Sequence, residues 1–159
     1  MPGNDFRNVV KDFASGVTVV TSLDQKGEPV GATVSAFSSL SLDPPLVLIC
    51  LKSDSRSTRA IRHRGAYVVH FLNDEQVDVA MKFAIDQSEK FSQGSYLLND
   101  EGIPCLEDCQ VRLECAVYSE LPGGDHAIFV GQVVRAVGQE GFQPLIHADR
   151  RFARLTPID

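Results

Sequence analysis

Hydrophobic positions change from a helical to a strand period near residue 17. Asn4 and Asp5 precede Phe6, Val9, Val10 and Phe13, a spacing that gathers one apolar stripe on a helix, and Gly16 suits the C′ position that ends it. Residues 17–22 and 29–37 are rich in Val and Thr and flank a turn over 24–27, which predicts a β-hairpin. Asp43, Pro44 and Pro45 then break the chain. The apolar run 46–51 that follows predicts a central strand buried on both faces.

Ser55, Ser57 and Thr58 are each competent N-caps for a short helix that carries Ala60 and Ile61 and stops at Gly65. Residues 67–72 have a strand pattern. Asn73 with Gln76 forms a capping-box sequence ahead of Val77, Ala80, Met81 and Ala84, a second amphipathic helix. Two long strands are predicted over 110–118 and 127–137, separated by a turn through Pro122, Gly123 and Gly124. Strands dominate and do not alternate regularly with helices, so the pattern predicts a mainly β fold, an antiparallel barrel with a few short α-helices. No repeat, low-complexity stretch or linker divides the chain, and residues 1–159 are expected to form one domain.

Composition narrows the class. With 43% hydrophobic residues, the chain can bury a core of its own. The longest apolar run, 46–51, falls far short of the roughly 20 residues that span a bilayer, so no membrane association is expected. Residues 1–5 lack the basic-then-apolar signature of a secretory signal, and the expected location is cytoplasmic. A formal charge of -6 argues against nucleic acid as a partner. Lys52, Arg56, Arg59, Arg62 and Arg64 nevertheless crowd one segment in which Asp54 is the only acid, which suits a small anionic ligand. Cys50, Cys105, Cys109 and Cys115 lack the spacing of a zinc or dithiol site. Cys109, Val111, Leu113, Cys115 and Val117 share one parity while Gln110, Arg112 and Glu114 alternate with them. Cys109 and Cys115 are therefore expected to point inward as core thiols, and no metal site is expected.

No nucleophile elbow, Walker loop, His-Glu-x-x-His or Gly-x-Gly-x-x-Gly motif is present. So sparse a set suits chemistry carried by a bound redox cofactor, to which a protein supplies orientation and electrostatics. Three segments are candidates to hold one. The run 31–39 combines small residues, which let a flat ring approach the main chain, with hydroxyls; on spacing alone it reads as an ordinary strand. Residues 52–58 place hydroxyls and helix-start donors beside positive charge, which fits a phosphate cradle and fits a capped, solvated helix equally. Pro122-Gly-Gly-Asp-His126 brings an imidazole to the mouth of a strand, although an isolated turn histidine is more often structural or exposed. His63, His70 and His147 have weaker claims.

These segments join others in a recurring order: Phe13-Ala-Ser-Gly-Val-Thr-Val-Val-Thr21, residues 31–39, Leu42-Asp-Pro-Pro-Leu46, residues 53–58 and Gly65-Ala-Tyr67. Lys82-Phe83-Ala84, Lys90-Phe91, Gly124-Asp-His126 and Gly131 complete it. In that order, over nearly the whole chain, the sequence resembles the flavin reductase-like proteins that serve as small components of two-component flavin-dependent monooxygenases. The resemblance implies a split β-barrel of the FMN-binding, antiparallel Greek-key type, assembled as a homodimer with flavin near the dimer interface. It implies a ring lying against Gly31, Thr33, Val34, Ser35 and Ala36 and beside Cys50 and Leu51. It implies a phosphate held by Ser38, Ser39, Lys52, Ser55, Ser57 and Thr58. Lys82 matches a basic position that helps hold the phosphate, and His126 matches the histidine that approaches nicotinamide, the candidate catalytic residue.

Two positions depart from the family pattern. His70 stands where the family often has Asn, and Arg150-Arg151-Phe152 replaces a Gly-Arg-Tyr-like ending. Arg151 keeps the basic character and Phe152 the aromatic face needed to stack on a folded nicotinamide nucleotide. The implied reaction is hydride transfer from NADH or NADPH to FMN or FAD, with reduced flavin passing to a partner monooxygenase. Two other readings share the barrel: a non-catalytic FMN-binding electron carrier and an FMN-dependent oxidase.

Overall fold

A computed structural model describes residues 2–85, 90–91 and 96–159. Helix α1 (Gly3–Val10) and the short strand β1 (Ser15–Gly16) open the chain. β2 (Thr18–Leu23) and β3 (Pro29–Val34) form the predicted hairpin, in register from Thr18↔Val34 to Leu23↔Pro29. Asp24 closes its turn by accepting from the N–H groups of Lys26 and Glu28. β4 (Phe37–Leu42) and β5 (Pro45–Lys52) follow as a second hairpin. Next come α2 (Arg56–Arg64), β6 (Ala66–Phe71), α3 (Val77–Ala84) and the small pair β7 (Tyr96–Leu98) and β8 (Pro104–Leu106). The long hairpin β9 (Val111–Gly123) and β10 (His126–Val137) and the short one β11 (Leu145–Ala148) and β12 (Arg151–Arg154) end the fold.

As predicted, the architecture is mainly β and antiparallel. Seven strands form one sheet in the order β3-β2-β6-β9-β10-β5-β4. The sheet curls around a core of Val20, Val34, Val47, Ile49, Leu51, Tyr67, Val69 and Phe129, among others, and the Cys50 N–H donates to the Ala36 carbonyl at 3.0 Å. Tyr67 crosses this core against Gly131, where an added Cβ would sit 2.1 Å from the phenol oxygen, so only glycine fits beside that ring. Cys109 and Cys115 are buried core thiols as expected, and burial pushes them up to about 11 and about 12. Gly65 takes the left-handed conformation that ends α2, with φ 72°. Among the described residues no helix is long and apolar enough to cross a membrane.

Four expectations need correction. Helix α1 stops at Val10 with Lys11 as its C-cap, and Gly16 belongs to β1; no residue of the helix is buried, so its apolar stripe lacks the packing that would have prolonged it. β5 lies second from the sheet edge instead of at the centre. Only Val47, Ile49 and Leu51 of the strand are buried in the core, and on the opposite face Cys50 and Lys52 line the cleft described below. Helix α3 covers the residues expected of it, but its capping box is only half formed: the Asn73 N–H donates to Gln76 Oε1 at 2.9 Å, while Gln76 occupies the N-cap with no side-chain bond to the helix. Glu114, expected outside, is buried, accepting from Asn99 Nδ2 and Arg112 Nε at 3.1 and 3.2 Å.

Candidate functional site

The core-facing parity of β5 assigns Cys50 and Lys52 to its outer face. β10 pairs His126 with Lys52 and Ile128 with Cys50, so these four side chains share that face. Beside it opens a cleft of about 630 Å³. One wall is β3 continuing through Ser35 and Ala36, and another is the start of α2 at Ser55, Arg56, Ser57 and Arg59. Phe83 and Ala84 of α3, with Lys90 and Phe91, close the end beyond Gly31.

The structure gathers Gly31, Thr33, Val34, Ser35, Ala36, Cys50, Leu51, Lys52, Ser55, Ser57 and His126 into this cleft. Several have local duties. A Cβ on Gly31 would lie 2.8 Å from two Phe83 ring atoms and 3.3 Å from Phe91, so this glycine admits the two aromatic rings rather than a ligand. The Thr33 hydroxyl donates to the Ala80 carbonyl and pins α3 to β3. Ser55 is the N-cap of α2, accepting from the Thr58 N–H at 3.1 Å; its hydroxyl donates to Thr58 Oγ1, which donates to the Lys52 carbonyl at 2.7 Å. The Ser55 and Thr58 hydroxyls are therefore spent on folding the segment. What α2 offers the cleft is the Ser57 side chain and the N–H groups of Arg56 and Ser57, which precede the first intrahelical bond, the Thr58 N–H being taken by Ser55.

Six expected residues lie outside the cleft. Thr58 is fully buried beneath the helix. Ser38 and Ser39 belong to β4, where the Ser38 hydroxyl donates to the Ser39 carbonyl. Lys82 points along α3, its Nζ 5.9 Å from the Phe83 ring centre. Arg151 and Phe152 lie on β12, in the small sheet β1-β11-β12, where Arg151 pairs with Asp149 at 3.3 Å and Phe152 packs edge-on against His147. Besides Lys52, Lys90 reaches the cleft, where it donates to the carbonyls of Gly31 and Phe83 at 3.0 and 3.3 Å.

The basic cluster is also less available than its composition suggests. Arg56 pairs with Asp24 at 3.0 Å, Arg59 donates to the Asp54 carbonyl, Arg62 grips Glu120 at 2.6 Å, and Arg64 donates to the Glu101 carbonyl. Lys52, Arg56 and Arg59 remain along the cleft wall. Arg56 and Arg59, expected in a basic cluster for a small anion, do line the cleft, whereas residue-level reading missed Phe83, Lys90 and Phe91 as lining residues, and Asp125 beside His126. The recurring Lys90-Phe91 pair was their signal, and Asp125 had one in the acid preceding a turn histidine. Asp125 Oδ1 lies 2.7 Å from His126 Nδ1, and that bond, the imidazole charge and Lys52 hold its carboxyl below the ordinary value.

Comparison with known proteins adds a family. The family model described as flavin reductase like domain matches residues 10–156. The chain is 39% identical over 153 residues to the reductase component of the 4-nitrophenol 4-monooxygenase/4-nitrocatechol 2-monooxygenase of Rhodococcus opacus, covering 96% of this chain and 81% of that one. It is 35% identical over 149 residues to the actinorhodin polyketide dimerase of Streptomyces coelicolor, covering 94% and 84%. Among solved structures, the NADH:FAD oxidoreductase of Streptomyces globisporus in complex with NAD and FAD fragments matches with a TM-score of 0.91 and 34% identity, over 99% of this chain and 94% of that one.

Proposed function

Because this chain belongs to the flavin reductase-like domain family, we propose that it is an NAD(P)H-dependent flavin oxidoreductase that reduces FMN or FAD and supplies reduced flavin to a partner monooxygenase. The observation that carries this reading is the convergence, in one cleft, of a strand wall, a cationic helix start and an exposed imidazole. The donors fit a flavin nucleotide: main chain and small side chains at Ser35 and Ala36 for a flat ring, and Lys52, Ser57 and first-turn N–H groups for a phosphate. When bound, flavin supplies the redox chemistry, accepting a hydride from the nicotinamide nucleotide.

The chain's own residues bind and orient. Phe83 and Phe91, packed edge-on at 5.3 Å, shut water out of one end of the cleft. His126 meets the nicotinamide, and proximity and orientation supply most of the acceleration. Residues 1–159 act as one domain, in the cytoplasm where the nucleotide donors are held. A homodimer covers the apolar side chains left in solvent, among them Phe6, Val9 and Phe13.

The test is nicotinamide absorbance with purified protein, NADH or NADPH, and FMN or FAD in all four combinations. Flavin-dependent oxidation in at least one is expected. None in any combination overturns the reading.

A further inference from the structure

We propose that Asp125 is a positioning residue that fixes the tautomer of His126, so that the imidazole offers a ligand a hydrogen-bond acceptor and selects a group carrying an N–H. The inference rests on the reading of the cleft as a flavin and nicotinamide site, where that group is the carboxamide of the nicotinamide.

The turn is built to hold this pair. Gly124 takes a left-handed φ of 71°, and the Asp125 carbonyl accepts from the Ser53 N–H at 3.0 Å, tying the turn to the segment between β5 and α2. From there Asp125 Oδ1 reaches His126 Nδ1 at 2.7 Å. Its carboxyl is held below the ordinary value by the His126 bond, the imidazole charge and Lys52, so it is ionised at neutral pH. An ionised carboxylate only accepts. The shared hydrogen therefore resides on Nδ1, and in the neutral ring Nε2 is left as a bare lone pair. His126 lines the cleft, which makes Nε2 the nitrogen available to a ligand.

The core of the same protein contains a completed version of this arrangement. His70 Nδ1 lies 3.0 Å from the Val19 carbonyl, an acceptor only, and its Nε2 accepts from the Leu106 N–H at 3.0 Å. At His126 the carboxylate takes the place of the carbonyl, and the ligand takes the place of the Leu106 amide. A nicotinamide carboxamide can donate there. The carboxylate of a nicotinic acid dinucleotide and the methyl ketone of an acetylpyridine dinucleotide cannot, and a site built around a hydrogen bond discriminates against analogues that lack it.

Asp125→Asn tests the proposal, because the side-chain amide can donate to Nδ1 and release its hydrogen to Nε2. At mildly alkaline pH, nitrogen NMR of the ligand-free protein should show His126 as the Nδ1–H form in the wild type and at least half converted to Nε2–H in Asp125→Asn, with Asp125→Glu restoring the first. In turnover, the wild type should favour NADH over the reduced acetylpyridine analogue by about tenfold or more in kcat/KM. Asp125→Asn should shrink that ratio by about fivefold or more, chiefly through KM, with flavin affinity unchanged. An unaltered tautomer, or an unaltered ratio in a variant that binds flavin normally, overturns the proposal. If the wild type oxidises no nicotinamide nucleotide with either flavin, the functional reading fails instead, and the NMR arm still decides what Asp125 does.

Discussion

His70 and His126 each direct Nδ1 to an oxygen acceptor, yet one closes a core and the other opens onto a cleft. His70 is fully buried between β2 and β8 with both nitrogens engaged by main chain, and burial pushes its imidazole down to about 4. His126 stands at the start of β10 with its side chain 39% exposed and one nitrogen engaged by Asp125. The histidine whose titration burial displaces is thus a structural one. What suits a side chain for function here is an unspent hydrogen-bonding position facing a cavity, whereas a large shift in titration records only how completely the group has been enclosed.

The largest test of this contrast is stability. His70→Ala removes the partners of the Val19 carbonyl and the Leu106 N–H and leaves a cavity, so urea denaturation should show a loss of about 3–5 kcal/mol. His126→Ala should stay within about 0.5 kcal/mol of the wild type. Equal costs would erase the distinction. Acid titration comes next. His70 titrates near 4 when folded against 6.5 when unfolded, so on acidification the unfolded chain takes up the proton first. The stabilisation is complete above pH 6.5 and is lost as pH falls towards 4, by up to about 3 kcal/mol. Urea midpoints measured against pH should show this slope, and His70→Asn, which has no imidazole to titrate, should flatten it.

Function provides the smaller effects. His126→Ala should lower kcat/KM for the nicotinamide nucleotide by about tenfold or more while flavin affinity changes by less than about twofold, as read from steady-state kinetics and calorimetry. Parallel loss of both would assign His126 to the fold, alongside His70. Lys52→Ala should weaken FMN by about 1 kcal/mol and leave riboflavin almost unaffected. Lys82→Ala, outside the cleft, should change FMN affinity by less than about twofold, and a larger change would mean that α3 presents its other face to the ligand.

Much of the scaffold was legible because its signals are local. The Val and Thr alternation on either side of residues 24–27 specifies a hairpin wherever it is placed, and Gly65 ends α2 because a left-handed residue is needed there. The inward parity of Cys109 and Cys115 was readable for the same reason. The candidate site was legible in part. The 31–36 segment, Lys52, Ser57 and His126 do converge, but Arg62 is claimed by Glu120, 58 positions along the chain, and the Ser55 and Thr58 hydroxyls are consumed by a helix cap. Composition shows that such donors exist and cannot show which are already taken.

The amino-acid order alone therefore determined the periods, the turns, the mainly β class and, through the recurring motifs, the family resemblance, since each depends on neighbours a few residues apart. Only the folded chain decided that Lys90 rather than Lys82 reaches the cleft, that Glu114 is buried, that the stripe of α1 stays uncovered, and that Asp125 reaches His126 Nδ1. The physical reason is common to all four. Burial, and the donors and acceptors left free, are set by groups that meet across the fold, and no stretch of sequence contains both sides of such a meeting.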